Sequence, residues 1–231
     1  MLSTINKEDN KKYIFILQSS WIDKININDK NFSNDIYEKY NATLTNLSGE
    51  LIICSDLTKL DIFCKKIISE TYEEYEDFIS KRNFNKEQWI YNILDNIAEQ
   101  DKILYKDDLI VIIPNYIWDG GDIYKMYLLV FPMDKTLHSL RDLTSNHIDL
   151  LYWIKKKTLE IIKLTYNFNS DQIKIFIHYA PSSYHLHIHF VLITNNEVNS
   201  SVEYSHDIDT IIQILKIKSD YYQTIIMNKR I

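Results

Sequence analysis

Three histidines alternate with large apolar residues in the stretch Tyr-His-Leu-His-Ile-His-Phe, which starts at residue 184. They are His185, His187 and His189, and a fourth histidine, His178, lies seven residues before the first of them. Because successive side chains of a β-strand point to opposite faces, the spacing predicts that all three imidazoles project from one face. Such a row could bind and attack a phosphate, or hold a metal.

The phosphate chemistry follows from the properties of imidazole. A neutral imidazole is a good nucleophile toward phosphorus at neutral pH, because its ordinary pKa is about 6.5. Attack gives a phospho-histidine that water then hydrolyses, provided that the other ring nitrogen donates to an acceptor. Flanking histidines, about 6.6 Å away along a strand, could donate to phosphate oxygens. A zinc site and a polar row without function remain as alternatives.

The composition limits the partners. The 231 residues carry a net charge of −6, which argues against long duplex nucleic acid as a partner. Cys54 and Cys64 lack a metal-type spacing and are expected to be free thiols in a reducing compartment. No apolar run approaches the length of about 18 residues that would indicate a membrane span. We therefore expect a soluble intracellular protein with no membrane partner.

The elements that must position the histidines read as an α+β class, with antiparallel strands around one long helix. The helix should begin at Ser145 or Asn146 and run to about Tyr166. A second helix is expected over residues 88–100 and a short one over 207–216. Strands are expected at residues 102–105, 109–114, 124–132, 173–179, 184–193 and 221–228. A hairpin-length turn at 180–183 should join the two strands that flank it.

The first part of the chain is less regular. Short strands are expected at residues 13–17 and 50–54, with a polar loop over 25–48 between them. Asp56 could cap a helix that starts at Leu57, and a charged helix should follow over 70–82. The polar stretch 82–86 marks a candidate domain boundary, which gives domains at 1–82 and 83–231.

Several motifs together carry a family resemblance. The stretch from His185 to Val191 resembles the histidine-triad signature, and residues 177–190 as a whole resemble the scavenger mRNA decapping enzymes. Residues 32–37, 88–95 with Ala98-Glu99, and 139–144 are similar to further motifs of that family. The resemblance implies a C-terminal histidine-triad fold after a small α+β N-terminal domain.

The resemblance also implies a function. Such enzymes cleave the 7-methylguanosine cap dinucleotide, or a short capped oligoribonucleotide left by mRNA decay, and release 7-methyl-GMP without a cofactor or metal. It implies a homodimer whose N-terminal domains exchange segments and close over the cap. The location implied is the cytoplasm, and also the nucleus.

The resemblance assigns roles to individual residues. His187 would be the nucleophile between His185 and His189, with His178 and Ser182 on the phosphates. Trp89 would stack on the charged base, with a cation–π contribution, and Glu99 would accept its N–H groups. The residues implied to close over the cap are Asn34, Tyr37 and Lys59.

One geometric tension follows from these roles. Ten residues of continuous helix would separate Trp89 and Glu99 by about 15 Å, which is long for one base. We therefore predict that Trp89 lies at a helix start or bend, with Glu99 leaning back toward it.

The chain also departs from the family pattern. Asn115 and Ile117 stand where an acidic residue and a phosphate-binding lysine are usual, Tyr204 replaces an arginine, and Ser183 replaces a tyrosine. Each lost charge-assisted hydrogen bond would be worth roughly 1.5–3 kcal/mol, unless a nearby lysine such as Lys125 substitutes. Two other functions therefore stay open: a cap-binding regulatory homologue with little turnover, and a histidine-triad hydrolase of other nucleotides.

Overall fold

The structure is a computed structural model. It describes residues 67–118, 120–198 and 200–230 with their side chains, and the backbone of five strands that precede them. By its contacts the chain divides into two compact units, residues 1–66 and 67–231.

The first unit contains a five-stranded antiparallel sheet in the order β1-β2-β5-β4-β3. Its strands are β1 (Leu2–Asn6), β2 (Lys12–Ile16), β3 (Ile25–Ser33), β4 (Tyr37–Leu44) and β5 (Leu47–Cys54). The expected loop over residues 25–48 is therefore wrong, because β3 pairs with β4 and β4 with β5 across this polar stretch. Backbone ladders do not require apolar side chains, so the Asn-rich composition concealed them. The helix expected from Leu57 lies outside the described residues.

The second unit is built on a six-stranded sheet in the order β12-β10-β11-β9-β8-β7. All of its pairings are antiparallel. The strands are β7 (Tyr105–Lys106), β8 (Ile110–Pro114), β9 (Tyr127–Pro132), β10 (Ile173–His178), β11 (Ile188–Leu192) and β12 (Ser205–Asp207). The α+β class predicted for this part of the chain is confirmed.

Five α-helices accompany this sheet among the described residues. They are α1 (Tyr72–Lys81), α2 (Gln88–Leu94), α3 (Ile148–Tyr166), α4 (Ile208–Ile217) and α5 (Tyr221–Thr224). The long helix α3 follows a short 3₁₀ turn over 145–147 and ends where Asn167 adopts a left-handed conformation. It buries Leu151, Ile154 and Ile162 in the core, at the spacing of one apolar helix face.

Residues 67–82 belong to the second unit by their contacts, although the sequence placed a boundary at 82. Strand β6 (Ile67–Glu70) pairs with β13 (Met227–Arg230). In α1 the hydroxyl of buried Tyr75 donates to Asp142 at 2.8 Å and accepts from Ser139 at 2.9 Å. These long-range contacts are invisible in a local sequence pattern.

The buried Arg141 joins the two sheets of this unit. Its guanidinium donates to the backbone carbonyls of Tyr222 and Ile225, both at 2.8 Å, and to that of Glu70. It also donates to the hydroxyl of Tyr179 at 3.2 Å. The 139–144 motif therefore connects β6, the residue that follows β10, and the α5 region. The predicted strand over 221–228 is replaced by α5 followed by β13.

The strand that carries the histidines is shorter than predicted. Strand β11 begins at Ile188, and the connection from β10 spans residues 179–187 instead of a hairpin-length turn. Only His189 of the three histidines lies within the strand. In the connection, the Leu186 amide donates to the carbonyl of Leu137 at 2.7 Å, so a contact with another segment sets this path.

Candidate active site

A cavity of about 1190 Å³ opens on one face of the six-stranded sheet. Its walls include His187 and His189, His178 from the end of β10, and Trp89 and Glu99 from the α2 region. This volume is somewhat above the range of typical small-molecule sites, about 300–1,000 Å³. It can hold a ligand larger than a mononucleotide.

The predicted nucleophile, His187, is held by a hydrogen bond to the backbone. Its Nδ1 lies 2.7 Å from the backbone carbonyl oxygen of His185. A carbonyl only accepts, so Nδ1 carries the hydrogen and Nε2 keeps its lone pair. The ring is buried but lines the cavity. The tautomer expected for a histidine nucleophile is therefore the one that the backbone imposes.

His189 is held by Tyr127 on the neighbouring strand. The Tyr127 hydroxyl lies 2.7 Å from His189 Nδ1, and burial raises the pKa of this hydroxyl, so it keeps its proton. With Tyr127 donating, the neutral imidazole carries its own hydrogen on Nε2. That Nε2 is buried and has no hydrogen-bond partner among the described residues. It is a free donor in the cavity wall, suited to a phosphate oxygen.

His185 lies behind the site rather than in it. Its ring is fully buried, its Nε2 lies 2.9 Å from the carbonyl oxygen of Pro132, and it packs edge-on against Tyr91. It is absent from the cavity wall. The prediction that three imidazoles share one strand face is thus wrong: of the three, His189 alone lies within β11, and the His185 ring contacts Pro132 instead of lining the cavity. The backbone carbonyl of His185 accepts the hydrogen bond from His187 Nδ1.

Burial keeps the triad neutral. It lowers the pKa of His185 from the ordinary value to about 4, and it lowers the pKa values of His187 and His189 as well. Neutral imidazoles are the form that attacks phosphorus or donates one N–H. They bring no positive charge to a polyphosphate.

Trp89 and Glu99 line the same cavity. Trp89 is the second residue of α2, as predicted, and the helix ends at Leu94 instead of residue 100. The amides of Ile97 and Ala98 then donate to the Asn92 carbonyl, which folds the chain back. Left-handed backbone at Glu99 completes the return. The two side chains thus reach one site, and their roles in base binding stay predictions.

An aromatic side chain connects the two halves of the cavity. Trp89 meets Phe131 edge-on with ring centres 5.7 Å apart, and Phe131 lies 6.1 Å from His187. A base on Trp89 and a phosphate at His187 would thus share one wall of the cavity.

Two residues predicted to contact phosphates also line the cavity. Ser182 is exposed in the connection before β11, and His178 is buried at the end of β10. The His178 ring lies 4.2 Å from that of His189 and stacks on Tyr204 at 3.9 Å. Both residues are therefore placed beside the triad.

The departures from the family pattern cluster on the same cavity. Asn115 accepts from the Ile117 amide at 2.9 Å, which shapes the turn after β8. Ile117 presents 66% of its surface to solvent and adds no charge to the cavity wall. Lys125, the suggested substitute, is paired with Glu197 at 2.5 Å.

Three predicted site residues cannot be placed. Asn34 and Lys59 lie outside the described residues, and for Tyr37 only the backbone, at the start of β4, is described. Their implied role in closing over the cap stays a prediction.

In the described part of the chain, no group of three or more His, Cys, Asp or Glu side chains is arranged to hold a metal ion. No described helix is long and apolar enough to cross a membrane.

Sequence reasoning missed Tyr127 and Phe131. Both lie on β9, and with Leu129 between them they line the cavity at alternate positions. The antiparallel register places Leu129 opposite His189. The alternation of side chains along a strand predicts that Tyr127, Leu129 and Phe131 share one face. Because the whole run is apolar, the sequence does not show which face lines the cavity.

An antiparallel sheet backed by a long helix, with a buried alternating histidine segment and a fixed nucleophilic tautomer, defines a histidine-triad protein. The family model described as "Scavenger mRNA decapping enzyme C-term binding" matches residues 88–204. The chain belongs to the scavenger mRNA decapping enzyme family.

Similar proteins carry a common name. The m7GpppX diphosphatase of Ascaris suum is 34% identical over 204 residues, which is 82% of this chain and 68% of the relative. That of Homo sapiens is 31% identical over 206 residues, covering 83% and 61%. The chain thus spans about two thirds of these relatives. Among solved structures, the aprataxin ortholog Hnt3 from Schizosaccharomyces pombe aligns with a TM-score of 0.38 and 18% identity, covering 59% of this chain and 74% of that chain.

Proposed function

We propose that the protein is a hydrolase of 7-methylguanosine caps, acting on the cap dinucleotide or on a short capped oligoribonucleotide. The observation that carries the proposal is the shared cavity, which joins a nucleophilic His187 to Trp89 and Glu99. The relatives named m7GpppX diphosphatase support the same substrate.

The proposed reaction has two displacements. The lone pair on His187 Nε2 attacks the phosphorus next to 7-methylguanosine, and the bond from that phosphorus to the bridging oxygen breaks. The remaining nucleotide or RNA leaves with a 5′-diphosphate. Water then attacks the same phosphorus, the N–P bond breaks, and 7-methyl-GMP is released. The N–H of His189 stabilises charge that develops on the phosphate oxygens.

Trp89 and Glu99 give the proposed site its preference for the methylated base. N7-methylation gives guanine a positive charge, which favours stacking on an indole by a cation–π interaction. The Glu99 carboxylate accepts hydrogen bonds from the base. We further propose that the protein acts as a homodimer in the cytoplasm, and also in the nucleus, with the N-terminal unit closing over the cap.

The test compares the cap dinucleotide with its unmethylated counterpart. We expect the wild type to release 7-methyl-GMP and to act far more slowly on the unmethylated compound. Replacement of the nucleophile in His187→Asn should lower kcat by at least about a thousandfold. Equal rates on the two dinucleotides would contradict a cap-specific function.

A second function is favoured by one observation, the apolar Ile117 on the cavity wall. A chain with too little cationic charge at the phosphates could bind caps without turnover. Tight binding of the methylated dinucleotide by the wild type, without release of 7-methyl-GMP, would establish this alternative.

A further inference from the structure

Among the described residues that line the cavity, two carry a permanent positive charge: Lys125 and Arg230. Lys125 is paired at 2.5 Å with Glu197, which lines the same cavity, so its charge is largely compensated there. Arg230 lies 3.7 Å from Glu203, at the long end of ion-pair distances, and Glu203 is outside the cavity wall. Arg230 is therefore the cation best placed to act on a bound anion.

Arg230 is connected to the triad by a series of ring contacts. Its guanidinium carbon lies 4.4 Å from the ring centre of Tyr204, and Tyr204 stacks on His178 at 3.9 Å with planes 23° apart. His178 lies 4.2 Å from His189, and His189 lies 4.9 Å from His187. All five side chains line the cavity.

The contact with Tyr204 leaves the donors of the guanidinium available. The N–H groups of arginine lie in the plane of the group and point outward from its edge. The guanidinium carbon of Arg230 lies over the Tyr204 ring, and a contact with a ring positions the group without using those donors in hydrogen bonds. A fixed guanidinium can then bind two phosphate oxygens at once.

The site needs such a cation for its substrate. The triad histidines are neutral because burial lowers their pKa values, and three carboxylates, from Glu99, Asp122 and Glu197, also line the cavity. Hydrogen bonds from neutral imidazoles do not balance the charge of an oligophosphate. A charge-assisted contact is needed in addition.

We propose that Arg230 binds the oligophosphate chain of the substrate and that Tyr204 is its positioning residue. This inference rests on the proposed function. Tyr204 stands where the family resemblance implies an arginine. In this proposal Arg230, at the end of β13, supplies the positive charge instead and packs against the Tyr204 ring.

The test separates phosphate binding from base binding. In a His187→Asn background, which prevents turnover, Arg230→Gln is titrated with the cap dinucleotide and with 7-methylguanosine, which has no phosphate. We expect dinucleotide affinity to fall about tenfold or more, as for a lost charge-assisted hydrogen bond. Affinity for the nucleoside should not change, and this also shows that the variant is folded.

Two further variants complete the design. Arg230→Lys keeps the charge but loses the planar fork, so the dinucleotide should bind several-fold more weakly, and this variant serves if Arg230→Gln does not fold. Lys156→Gln removes one charge from the exposed surface of α3, away from the cavity, and should change neither affinity.

Each contrary outcome has a distinct meaning. Equal affinity of the His187→Asn protein for methylated and unmethylated dinucleotides would reject the proposed function itself. Methyl discrimination with Arg230→Gln equal to Lys156→Gln would reject only the role of Arg230. Equal losses for dinucleotide and nucleoside would show that Arg230 merely maintains the fold, which also overturns the inference.

Discussion

The two ends of the cavity are built differently. At the nucleophile end, His187 and His189 are buried and each has Nδ1 hydrogen-bonded within the protein. At the other end, Trp89 exposes 41% of its surface, and the Glu99 carboxylate pairs with Lys102 at 3.5 Å on the surface. One end is fixed before a ligand arrives, whereas the other keeps its binding faces open.

The difference matches what each end has to do. Nucleophilic attack needs one nitrogen with a free lone pair at a fixed position, because displacement depends on orientation. Stacking on an indole needs an unoccupied ring face, so the platform cannot be buried beforehand. We therefore expect changes at the nucleophile end to affect kcat, and changes at the base-binding end to affect KM.

Among the variants that test this division, replacement of Trp89 should change a kinetic constant the most. In Trp89→Ala, KM for the methylated cap dinucleotide should rise about tenfold to a hundredfold, since stacking on an aromatic side chain is worth roughly 1–3 kcal/mol per base. kcat should stay within a few-fold. Steady-state kinetics measure both constants, and Trp89→Phe provides the matched variant, with an intermediate KM because phenylalanine is a weaker cation–π partner. A loss confined to kcat would break the division.

The parts of this site that could be predicted from sequence are those set by local patterns. The alternating histidines marked the candidate site, and the apolar periodicity of α3 located the long helix. The proposed chemistry requires that one ring nitrogen of His187 donates to an acceptor. The sequence could not identify that acceptor, because it is a backbone carbonyl in an irregular segment.

The rest depends on contacts between distant segments. A hydrogen bond from Leu186 to Leu137 accompanies the bend that takes His185 out of the cavity. Helix α2 ends early, before Asn96, which adopts a left-handed conformation. Asparagine at a helix end is a local stop signal, but the apolar periodicity of residues 88–100 outweighed it in the sequence prediction. Arg230 reaches Tyr204 only because β13 pairs with β6, which no local pattern specifies.

The fixed end should also show in the pH dependence of stability. His185 has a folded-state pKa of about 4, below its ordinary value of 6.5, so between these values the unfolded chain binds more protons. The contribution to the free energy of unfolding is fully present above pH 6.5 and is lost as the pH falls toward 4. Its slope is at most about 1.4 kcal/mol per pH unit.

The variant His185→Gln should reduce that slope. A glutamine amide nitrogen reaches about as far as the Nε2 position and can still donate to the Pro132 carbonyl, but it does not titrate. Denaturant unfolding at several pH values between 4 and 8 measures the effect. The free energy of unfolding of the wild type minus that of the variant should be constant above pH 6.5 and should decrease at lower pH. Parallel curves over the whole range would show that burial of His185 is not linked to pH.

Removing one hydroxyl should have the smallest effect and sharpens the comparison most. Tyr127→Phe keeps the ring beside His189 but deletes the 2.7 Å hydrogen bond to Nδ1, so the tautomer with hydrogen on Nε2 is no longer selected. We expect kcat to fall about fivefold, for a net hydrogen-bond contribution of about 1 kcal/mol, with KM for the cap dinucleotide unchanged. Tyr152→Phe is the matched control, because it deletes a hydroxyl that accepts from Lys216 on the exposed side of α3. A change in KM for Tyr127→Phe, with kcat preserved, would mean that His189 serves ground-state binding and that the nucleophile end is not specialised for the chemical step.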